Sequence, residues 1–506
     1  MYDEPVSRTS AAASTTTSCP VQRMCKAPIV PADAAEPTRP PGSGGRVDPV
    51  PSSRSAEDSQ PLAVAVDATP LLGRPTGVGA FCAGALSGLA RCPDLAVSAF
   101  AISWRRRGGI APLLPRGVVT RQRAMPARPL HRMWARWSVP PVEWFVGGQH
   151  VVHGTNFVVP PTRRAARVVT VHDLTVVRFP ELCDGPTLAF PDLIRRALAT
   201  GAWVHTPSAY VAAEVVDLFG VDPARVRAVH HGVPLLAAPG SPPTGATGVV
   251  GAGSPVGIGG IGGRGSPGAA GRYILAIGTI EPRKDYPSLV EAFDLVASED
   301  PEVRLVVVGA TGWGGAAFTD AIKASPYRSR ITHLGYLHDA ALADVLREAT
   351  VLAFPSRYEG FGLPPLQAMA VGVPVVATAV GAIPEVVGDA AVLVPPGDAG
   401  ALAGALAGVL SGGPSVAELV GRGRRRAAGF TWDACAAGLT DLYRDAWAAR
   451  TGPVARGGSR ARQGSRSTGT GGWHGGTSAS GSDSGGGKGA GARGAGSTRD
   501  TAQEQR

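Results

Sequence analysis

The chain has 506 residues, enough for two or three domains of ordinary size. Its 69 Gly and 45 Pro residues concentrate in segments that cannot fold alone, while a hydrophobic fraction of 44% allows large cores elsewhere. The net charge of +10 fits an anionic partner. Because there is no run of 18 apolar residues, no signal-type N-terminus and no metal-ligand spacing among the six cysteines, we expect a cytoplasmic protein.

In the first half, strands alternate with helices. Residues 1–60 are rich in Ser, Thr, Pro and Ala and are predicted to be disordered. Order begins with a strand at Leu62, followed by a glycine-rich turn. Next come strands over 96–102, 151–153, 168–173, 203–206 and 226–229 and helices over 78–90, 191–199 and 208–219. This alternation predicts a parallel sheet with right-handed crossovers, in an N-terminal domain spanning 61–236.

A second alternating run follows a linker. Residues 237–271 are mostly Gly, Pro, Ser and Ala, which indicates a flexible connector. Beyond it we predict strands over 273–280, 304–309, 331–337, 350–355, 373–377 and 390–396 and helices over 287–296, 316–324, 340–348, 398–410 and 431–449. The fold class is therefore α/β, with two Rossmann-like doubly wound domains (61–236 and 272–430) facing a cleft. A helix over 431–450 crosses back toward the first domain, and a Gly/Ser/Arg tail over 451–506 is predicted to be disordered.

The stretch from Phe354 to Pro384 carries the densest set of candidate site residues. Glu359 opens a glycine-rich turn between a strand and a helix, and the residues after it offer backbone N–H groups to an anion or a sugar (Gly360, Phe361, Gly362, Leu363). Gln367 lies eight positions after Glu359, on the helix. The alternative is that Glu359 is only an acidic helix cap.

Further candidates follow other strands. Arg283 and Lys284 follow a strand and a turn, where cationic groups can neutralise a diphosphate; a solvated basic pair is the alternative. His172 and Asp173 end a buried strand. Gly77, Val78 and Gly79 follow the first strand, and the two glycines let the backbone approach a phosphate or acceptor, or simply form a tight turn. His153 and Asn156, in the motif HGTN, are assigned to the acceptor side.

These motifs together resemble a known family. The segments GTIEPRK, EGFGLPP, GVPVVAT and AIPEVVGDAAVLVPPGD are similar to the donor domain of retaining glycosyltransferases with two Rossmann-like domains, the GT-B fold. Within that fold, the closest resemblance is to the nucleotide-sugar-dependent mannosyl- and glucosyltransferases of family 4, or group 1. GVG, VVHGTNFVVPP, TVHD, PSAYVAAEV and HHGVP support the resemblance in the first half, so that it covers roughly residues 62–449.

The resemblance implies roles for individual residues. Glu359 contacts the donor sugar, Arg283 and Lys284 hold the diphosphate, and His172 lies at the reacting centre. Gly278 and Leu337 belong to the donor site, where the backbone around 334–337 reads the base. Gln367 occupies the position at which the family usually has a second glutamate that binds ribose hydroxyls, so donor binding is expected to be weaker here.

The expected function is transfer of a hexose, with mannose favoured by GTIEPRK, from a nucleotide diphosphate sugar such as GDP-mannose. The acceptor is a glycan, a lipid-linked or a small molecule, and the anomeric configuration is retained. No D-x-D motif is present, so we expect neither a metal ion nor another cofactor. A catalytically impaired sugar-nucleotide or partner-binding module is the alternative that Gln367 permits.

An Arg- and Trp-rich stretch runs from 105 to 145. One interpretation is an interfacial helix that contacts an anionic membrane at the inner face of the cell; the favoured one is a surface helix whose Trp residues cover the sheet. No nucleic-acid recognition motif accompanies it, and no nucleic-acid partner is expected.

Overall fold

The computed structural model describes residues 60–73, 76–105, 107–121, 123–183, 187–234 and 271–452. The predicted disordered N-terminal segment apart from Gln60, almost all of the linker and nearly the whole tail lie outside these residues. Both sheets described below belong to one compact unit that begins at Pro61. The domain boundaries given above stay a prediction.

The first half forms a parallel sheet of seven strands. Its strands are β1 (Leu62–Asp67), β2 (Leu95–Phe100), β3 (Val119–Arg121), β4 (Val151–Gly154), β5 (Ala166–Thr170), β6 (Trp203–Thr206) and β7 (Val226–Ala228). They lie in the order β3-β2-β1-β4-β5-β6-β7. The helices of this half are α1 (Gly77–Leu89), α2 (Ala127–Arg136), α3 (Glu143–Val146), α4 (Thr175–Arg178), α5 (Phe190–Ala199) and α6 (Ala209–Phe219).

The second half repeats the plan with six parallel strands. They are β8 (Tyr273–Ile277), β9 (Arg304–Val308), β10 (Ile331–Gly335), β11 (Val351–Phe354), β12 (Val375–Thr378) and β13 (Val392–Val394), in the order β10-β9-β8-β11-β12-β13. Its helices are α7 (Tyr286–Glu299), α8 (Gly315–Ala324), α9 (Asp339–Glu348), α10 (Leu363–Val371), α11 (Ile383–Val387), α12 (Ala399–Leu410) and α13 (Pro414–Ala428). The two sheets confirm the predicted doubly wound α/β class.

Apolar runs explain why the strands are central. All five residues of β8 and all four of β11 are buried, as expected for parallel strands covered by helices on both faces. In each sheet the strand order reverses beside the first strand, between β1 and β4 and between β8 and β11. The carboxyl ends of strands at such a reversal form a crevice, and ligands bind there in open α/β sheets.

The last helix, α14 (Trp432–Thr451), returns to the first half. It packs against α1, and its buried residues Leu439, Leu442 and Tyr443 join the core around Phe81. The chain crosses between the halves just before this helix, where the N–H of Val233 donates to the carbonyl of Phe430 at 3.0 Å.

Several elements were not predicted, among them β3, α11 and α13. β3 is an edge strand of three residues, too short to show an alternating pattern. α11 replaces a predicted turn, because Pro384 sits in its first turn, where proline is compatible with a helix. α13 was not predicted, since it carries four arginines and only three of its residues are buried.

In the Arg- and Trp-rich stretch, one Trp fits the surface-helix interpretation and two other Trp residues do not. Trp134 on α2 is buried and its indole N–H donates to the carbonyl of Pro140 at 2.9 Å, as the favoured interpretation requires. Trp137 and Trp144 are instead more than half exposed. Within the described ranges no single helix is long and apolar enough to cross a membrane; α12 and α13 pass that test only as a pair bent by 99°.

Candidate active site

A cleft of about 650 Å³ lies between the carboxyl ends of the two sheets. It collects nearly all of the predicted site residues: Gly77, Val78, His172, Asp173, Gly278, Arg283, Lys284, Leu337, Glu359, Gly360, Phe361, Gly362, Leu363 and Gln367. The cleft also takes in residues that the sequence did not single out, among them Glu281, His231, Tyr336 and Asp339. Residues more than 280 positions apart in the chain thus share one cavity.

Gly79 does not line this cleft. The predicted turn at 77–79 is the first turn of α1, and Thr76 is its N-cap, with the hydroxyl oxygen accepting the N–H of Gly79 at 3.2 Å. That N–H is therefore occupied, whereas Gly77 and Val78 face the cavity. The predicted turn is thus a capped helix start, and contact of Gly77 and Val78 with a phosphate or acceptor stays a prediction.

Glu359 is held by a buried network of cations. Lys284 Nζ and Ser356 Oγ both donate to its Oε1 at 2.6 Å, and Arg283 Nη1 lies 2.8 Å from its Oε2. The helix-cap alternative for Glu359 is wrong, because Gly362 is the N-cap of α10 and no side chain caps it. The solvated-pair alternative for Arg283 and Lys284 is wrong as well, since both side chains are largely buried.

The network determines the charge state of the site. Burial alone would raise the pKa of Glu359, but the charges of Arg283 and Lys284 and two hydrogen bonds lower it to about 2. Arg283 also donates to Glu281 at 2.6 Å, so the two cations are balanced by two carboxylates. Glu359 therefore stays ionised and orients the basic pair at the cavity wall. Contact of that pair with a diphosphate stays a prediction.

Backbone donors lie next to this carboxylate. The N–H groups of the segment 360–363 have no acceptor within the described chain. Pro364 and Pro365 occupy the following positions of α10 and have no N–H to offer. Any anion or sugar oxygen bound by this helix start must therefore be bound by the segment 360–363.

His172 faces the cleft as a neutral imidazole. Its Nε2 lies 2.8 Å from the carbonyl oxygen of Thr155, and a carbonyl only accepts, so Nε2 carries the proton. Burial lowers the pKa of His172, which keeps the ring uncharged. Phe81 meets the ring edge-on at 5.2 Å between centroids. Nδ1 is thus left as an acceptor. Asp173, next to it, accepts the N–H of Thr175.

His153 lies in the core and not on the acceptor side, which corrects that assignment. His205 Nε2 must donate to the carbonyl of Val229, so its Nδ1 accepts from Thr170. Thr170 then accepts from His153 Nε2, and the hydroxyl of Tyr443 donates to His153 Nδ1 at 2.7 Å. These hydrogen bonds between uncharged side chains link α14 to the sheet. They also determine which ring nitrogen of His153 and of His205 carries the proton. Asn156 is outside the cleft lining too.

Sequence analysis also missed His231, which lines the cleft, and Tyr358, which lies beside the lining residue Glu359. His231 stacks on Phe81 at 4.4 Å and approaches Phe361 at 4.9 Å, and its buried Nε2 has no hydrogen-bond partner in the described structure. The motif HHGVP was the available signal. Tyr358 precedes Glu359 directly, and only the tertiary fold shows where its side chain goes.

The described part of the chain contains no group of side chains that could hold a metal ion. No three His, Cys, Asp or Glu side chains lie together there as a metal site would require. Metal independence itself stays a proposal.

Comparison with known proteins identifies the class. A family model for group 1 glycosyl transferases matches residues 271–412. O-antigen chain mannosyltransferase B of Escherichia coli is 28% identical over 297 residues, which cover 58% of this chain and 74% of that protein. D-inositol 3-phosphate glycosyltransferase of Kineococcus radiotolerans is 29% identical over 303 residues, which cover 55% of this chain and 66% of that protein.

A solved structure shows the same fold. Anabaena Alr3699/HepE in complex with UDP and glucose aligns with a TM-score of 0.54 and 16% identity, over 76% of this chain and 100% of that one. Two parallel-sheet domains with a cleft at their carboxyl edges define the GT-B class. The match at 271–412 shows a group 1 glycosyl transferase domain in the second half of the chain, which confirms the resemblance.

Proposed function

We propose that this protein transfers a hexose, with mannose the first candidate, from a nucleotide diphosphate sugar, with retention of configuration and without a metal ion. The observation that carries the proposal is the cavity in which Glu359, Arg283 and Lys284 of one domain face His172 of the other. Carboxylate, cations and neutral imidazole are the groups that sugar hydroxyls, a diphosphate and a reacting centre require.

The donor lies along the second domain in this proposal. Glu359 and the N–H groups of 360–363 bind the sugar and the nearer phosphate, while Arg283 and Lys284 balance the diphosphate charge. Gln367 on α10, whose side chain has no partner in the described structure, binds the ribose. The chemistry of the named relatives, a mannosyltransferase and an inositol phosphate glycosyltransferase, supports a hexose donor. UDP and glucose in the Anabaena structure support a nucleotide-sugar site in this fold.

Transfer breaks the bond between the anomeric carbon and the phosphate oxygen and forms a bond from that carbon to the acceptor hydroxyl. The acceptor proton goes to the departing phosphate oxygen, so no protein carboxylate acts as nucleophile. His172, neutral and fixed by Thr155, orients the reacting hydroxyls through its free Nδ1. The acceptor is a glycan, a lipid-linked or a small molecule bound on the first domain.

A cytoplasmic protein at the inner face of the membrane is part of the proposal. Trp137 and Trp144 are exposed beside the basic helix α2, and such pairs of aromatic and cationic groups bind anionic interfaces. Flotation with anionic and with neutral vesicles measures this contact. Replacing both Trp residues by Ser should abolish binding to anionic vesicles; unchanged flotation would contradict the contact.

Donor choice is tested by thermal shift and by turnover. Nucleotide sugars carrying GDP, UDP and ADP are titrated against the protein, where a donor at a hundred times its Kd adds about 2.7 kcal/mol of stability. Donors that bind are then assayed for transfer, and the product anomer is read by NMR.

The control variant is Glu359→Gln, which keeps the side-chain shape and removes the charge. We expect it to bind free nucleoside diphosphate while losing at least about 100-fold in transfer. Nucleotide-sugar binding without turnover on any acceptor would favour the binding-module alternative.

A further inference from the structure

The side chain of Tyr358 crosses the cleft. The residue belongs to the second domain and is 3% exposed. Its hydroxyl donates to Glu214 Oε2 on α6 of the first domain and accepts the N–H of Leu174 at 3.1 Å. A phenol has one proton to donate, so a carboxylate acceptor and an amide donor satisfy it together.

Both partners belong to the wall that carries His172. Leu174 is the residue directly after His172 and Asp173, which both line the cleft. Glu214 is held in turn by Arg178 of α4, whose Nε lies 2.9 Å from Oε1. The hydroxyl of Tyr358 therefore contacts the backbone that continues from His172 and a helix of the same domain.

The backbone of Tyr358 lies on the second-domain side of the cleft, which binds the donor in the proposed function. Its carbonyl oxygen accepts from Arg283 Nη1 at 2.9 Å, and the next residue is Glu359. Ser208, the N-cap of α6, donates to the carbonyl of Gly360 at 2.8 Å, one residue further on. One side chain thus connects the carboxylate and basic pair to the histidine across the gap between the domains.

We propose that Tyr358 is a positioning residue for the transfer: its hydroxyl sets the spacing between the His172 wall and the Glu359 wall when the cleft is closed. The inference rests on the proposed function, in which these walls hold the reacting groups. Reacting atoms must lie about 3–3.5 Å apart, and a misplacement of about 1 Å can cost about 100-fold in rate. Two domains joined by a linker need a direct bond near the reaction to reach that accuracy.

The environment keeps the hydroxyl in the required form. Burial and the neighbouring charge of Glu214 raise the pKa of Tyr358 well above its usual value. The phenol therefore keeps its proton and donates it to Glu214.

Tyr358→Phe tests the inference, because it removes the hydroxyl and keeps the ring. We expect kcat to fall about 10- to 100-fold and the Kd of free nucleoside diphosphate to stay within twofold, since the donor contacts lie on the second domain. The fraction of donor lost to water should rise, because a loosened cleft admits water. Glu214→Ala removes the same bond from the other side, so the double variant should be no slower than the slower single one.

Tyr273→Phe is the matched control. Its buried hydroxyl also donates to a protein oxygen, the carbonyl of Val345 at 2.5 Å, but inside the second domain and away from the cleft. It should lower the Tm by an amount similar to Tyr358→Phe and leave kcat unchanged.

The outcomes separate the two proposals. An active wild type with an unchanged kcat in Tyr358→Phe overturns the positioning role alone, as does a kcat loss equal to that of Tyr273→Phe. A wild type inactive with every donor overturns the proposed function and this role together.

Discussion

The backbone of Gly360 contacts the backbone of His172 across the cleft, and a methyl group built on Gly360 would lie 2.0 Å from the carbonyl oxygen of His172. The next nearest atom to that methyl group is Cβ of Asp173, at 2.8 Å. A carbonyl cannot rotate away as a flexible side chain can. Any side chain at 360 must therefore move one domain relative to the other.

Gly360→Ala is expected to open the cleft and to impair transfer. Relief of the clash displaces the Glu359 turn from His172 by more than 1 Å, and transfer should fall at least about 100-fold. Overpacking of this kind should also cost about 1–3 kcal/mol in the free energy of unfolding. Transfer assays and urea denaturation measure the two effects.

Gly404→Ala provides the matched control. Gly404 lies on the exposed side of α12 and has nothing within 4 Å of the added methyl group. Alanine is the better helix former, so this variant should be more stable by about 0.5–1 kcal/mol and fully active. If Gly360→Ala behaved like Gly404→Ala, the close contact between the walls would be irrelevant.

The sequence predicted the elements and the cleft because their signals are local. Apolar runs such as 273–277 identify buried strands, and turn glycines mark their carboxyl ends, where the topology brings site residues together. Glu359 and Arg283 follow strands as predicted, and His172 lies two residues beyond the end of β5. Glu359 and Arg283 meet because the doubly wound order places β8 beside β11, whereas His172 reaches them from the other sheet.

Pairing across the chain was not predictable from local patterns. Nothing near position 284 indicates that Lys284 donates to Glu359, 75 residues away, or that its ammonium lies 4.7 Å over the ring of Phe354. Likewise, His153 was predicted at a strand end as His172 was, yet it lies inside β4 and its ring turns into the core toward Tyr443. The direction of a side chain at a strand end depends on the neighbours that α14 supplies.

Lys284→Met should strongly destabilise the protein. The substitution removes one of two cations from a buried carboxylate, and breaking such a pair costs about 3–5 kcal/mol. Arg283 alone then balances both Glu359 and Glu281. Urea denaturation of the wild type and the variant measures the loss.

The double variant Lys284→Met with Glu359→Gln separates folding from function. It removes the carboxylate along with the cation, so most of the lost stability should return, while transfer should stay abolished. Stability that falls further in the double variant would contradict the ion-pair account, and activity that returns would contradict a donor role for Glu359.

Gln367→Glu should strengthen donor binding. A carboxylate accepts ribose hydroxyls through charge-assisted hydrogen bonds, which are stronger than those of an amide by about 1 kcal/mol. The donor KM should therefore fall about fivefold with little change in kcat, because the ribose does not react. Gln367→Ala should raise the KM, and a KM that also rises in Gln367→Glu would argue against a ribose contact.

Stability should fall with acid well above the pH at which Glu359 is protonated. Burial lowers the pKa of His205 to about 3, and it also lowers the pKa values of His153, His172 and His231. An unfolded histidine has a pKa of about 6.5, so below that pH the unfolded chain binds protons that the folded chain does not. These histidines make their full contribution to the free energy of unfolding above about pH 6.5. As the pH falls from there, the contribution is lost by up to about 1.4 kcal/mol per pH unit for each histidine.

Urea denaturation at pH 7.5, 6.5 and 5.5 checks this loss. Glu359 cannot be its source, because its pKa of about 2 places its own contribution above pH 4.5, to be lost only between about 4.5 and 2. Replacing His205 by Gln should lower the free energy of unfolding at pH 7.5. It should also reduce the dependence of that free energy on pH by the contribution of one histidine. Equal stability of the wild type at pH 7.5 and 5.5 would mean that the buried histidines accept protons in the folded state, against the hydrogen-bond directions that Val229 and Thr155 impose.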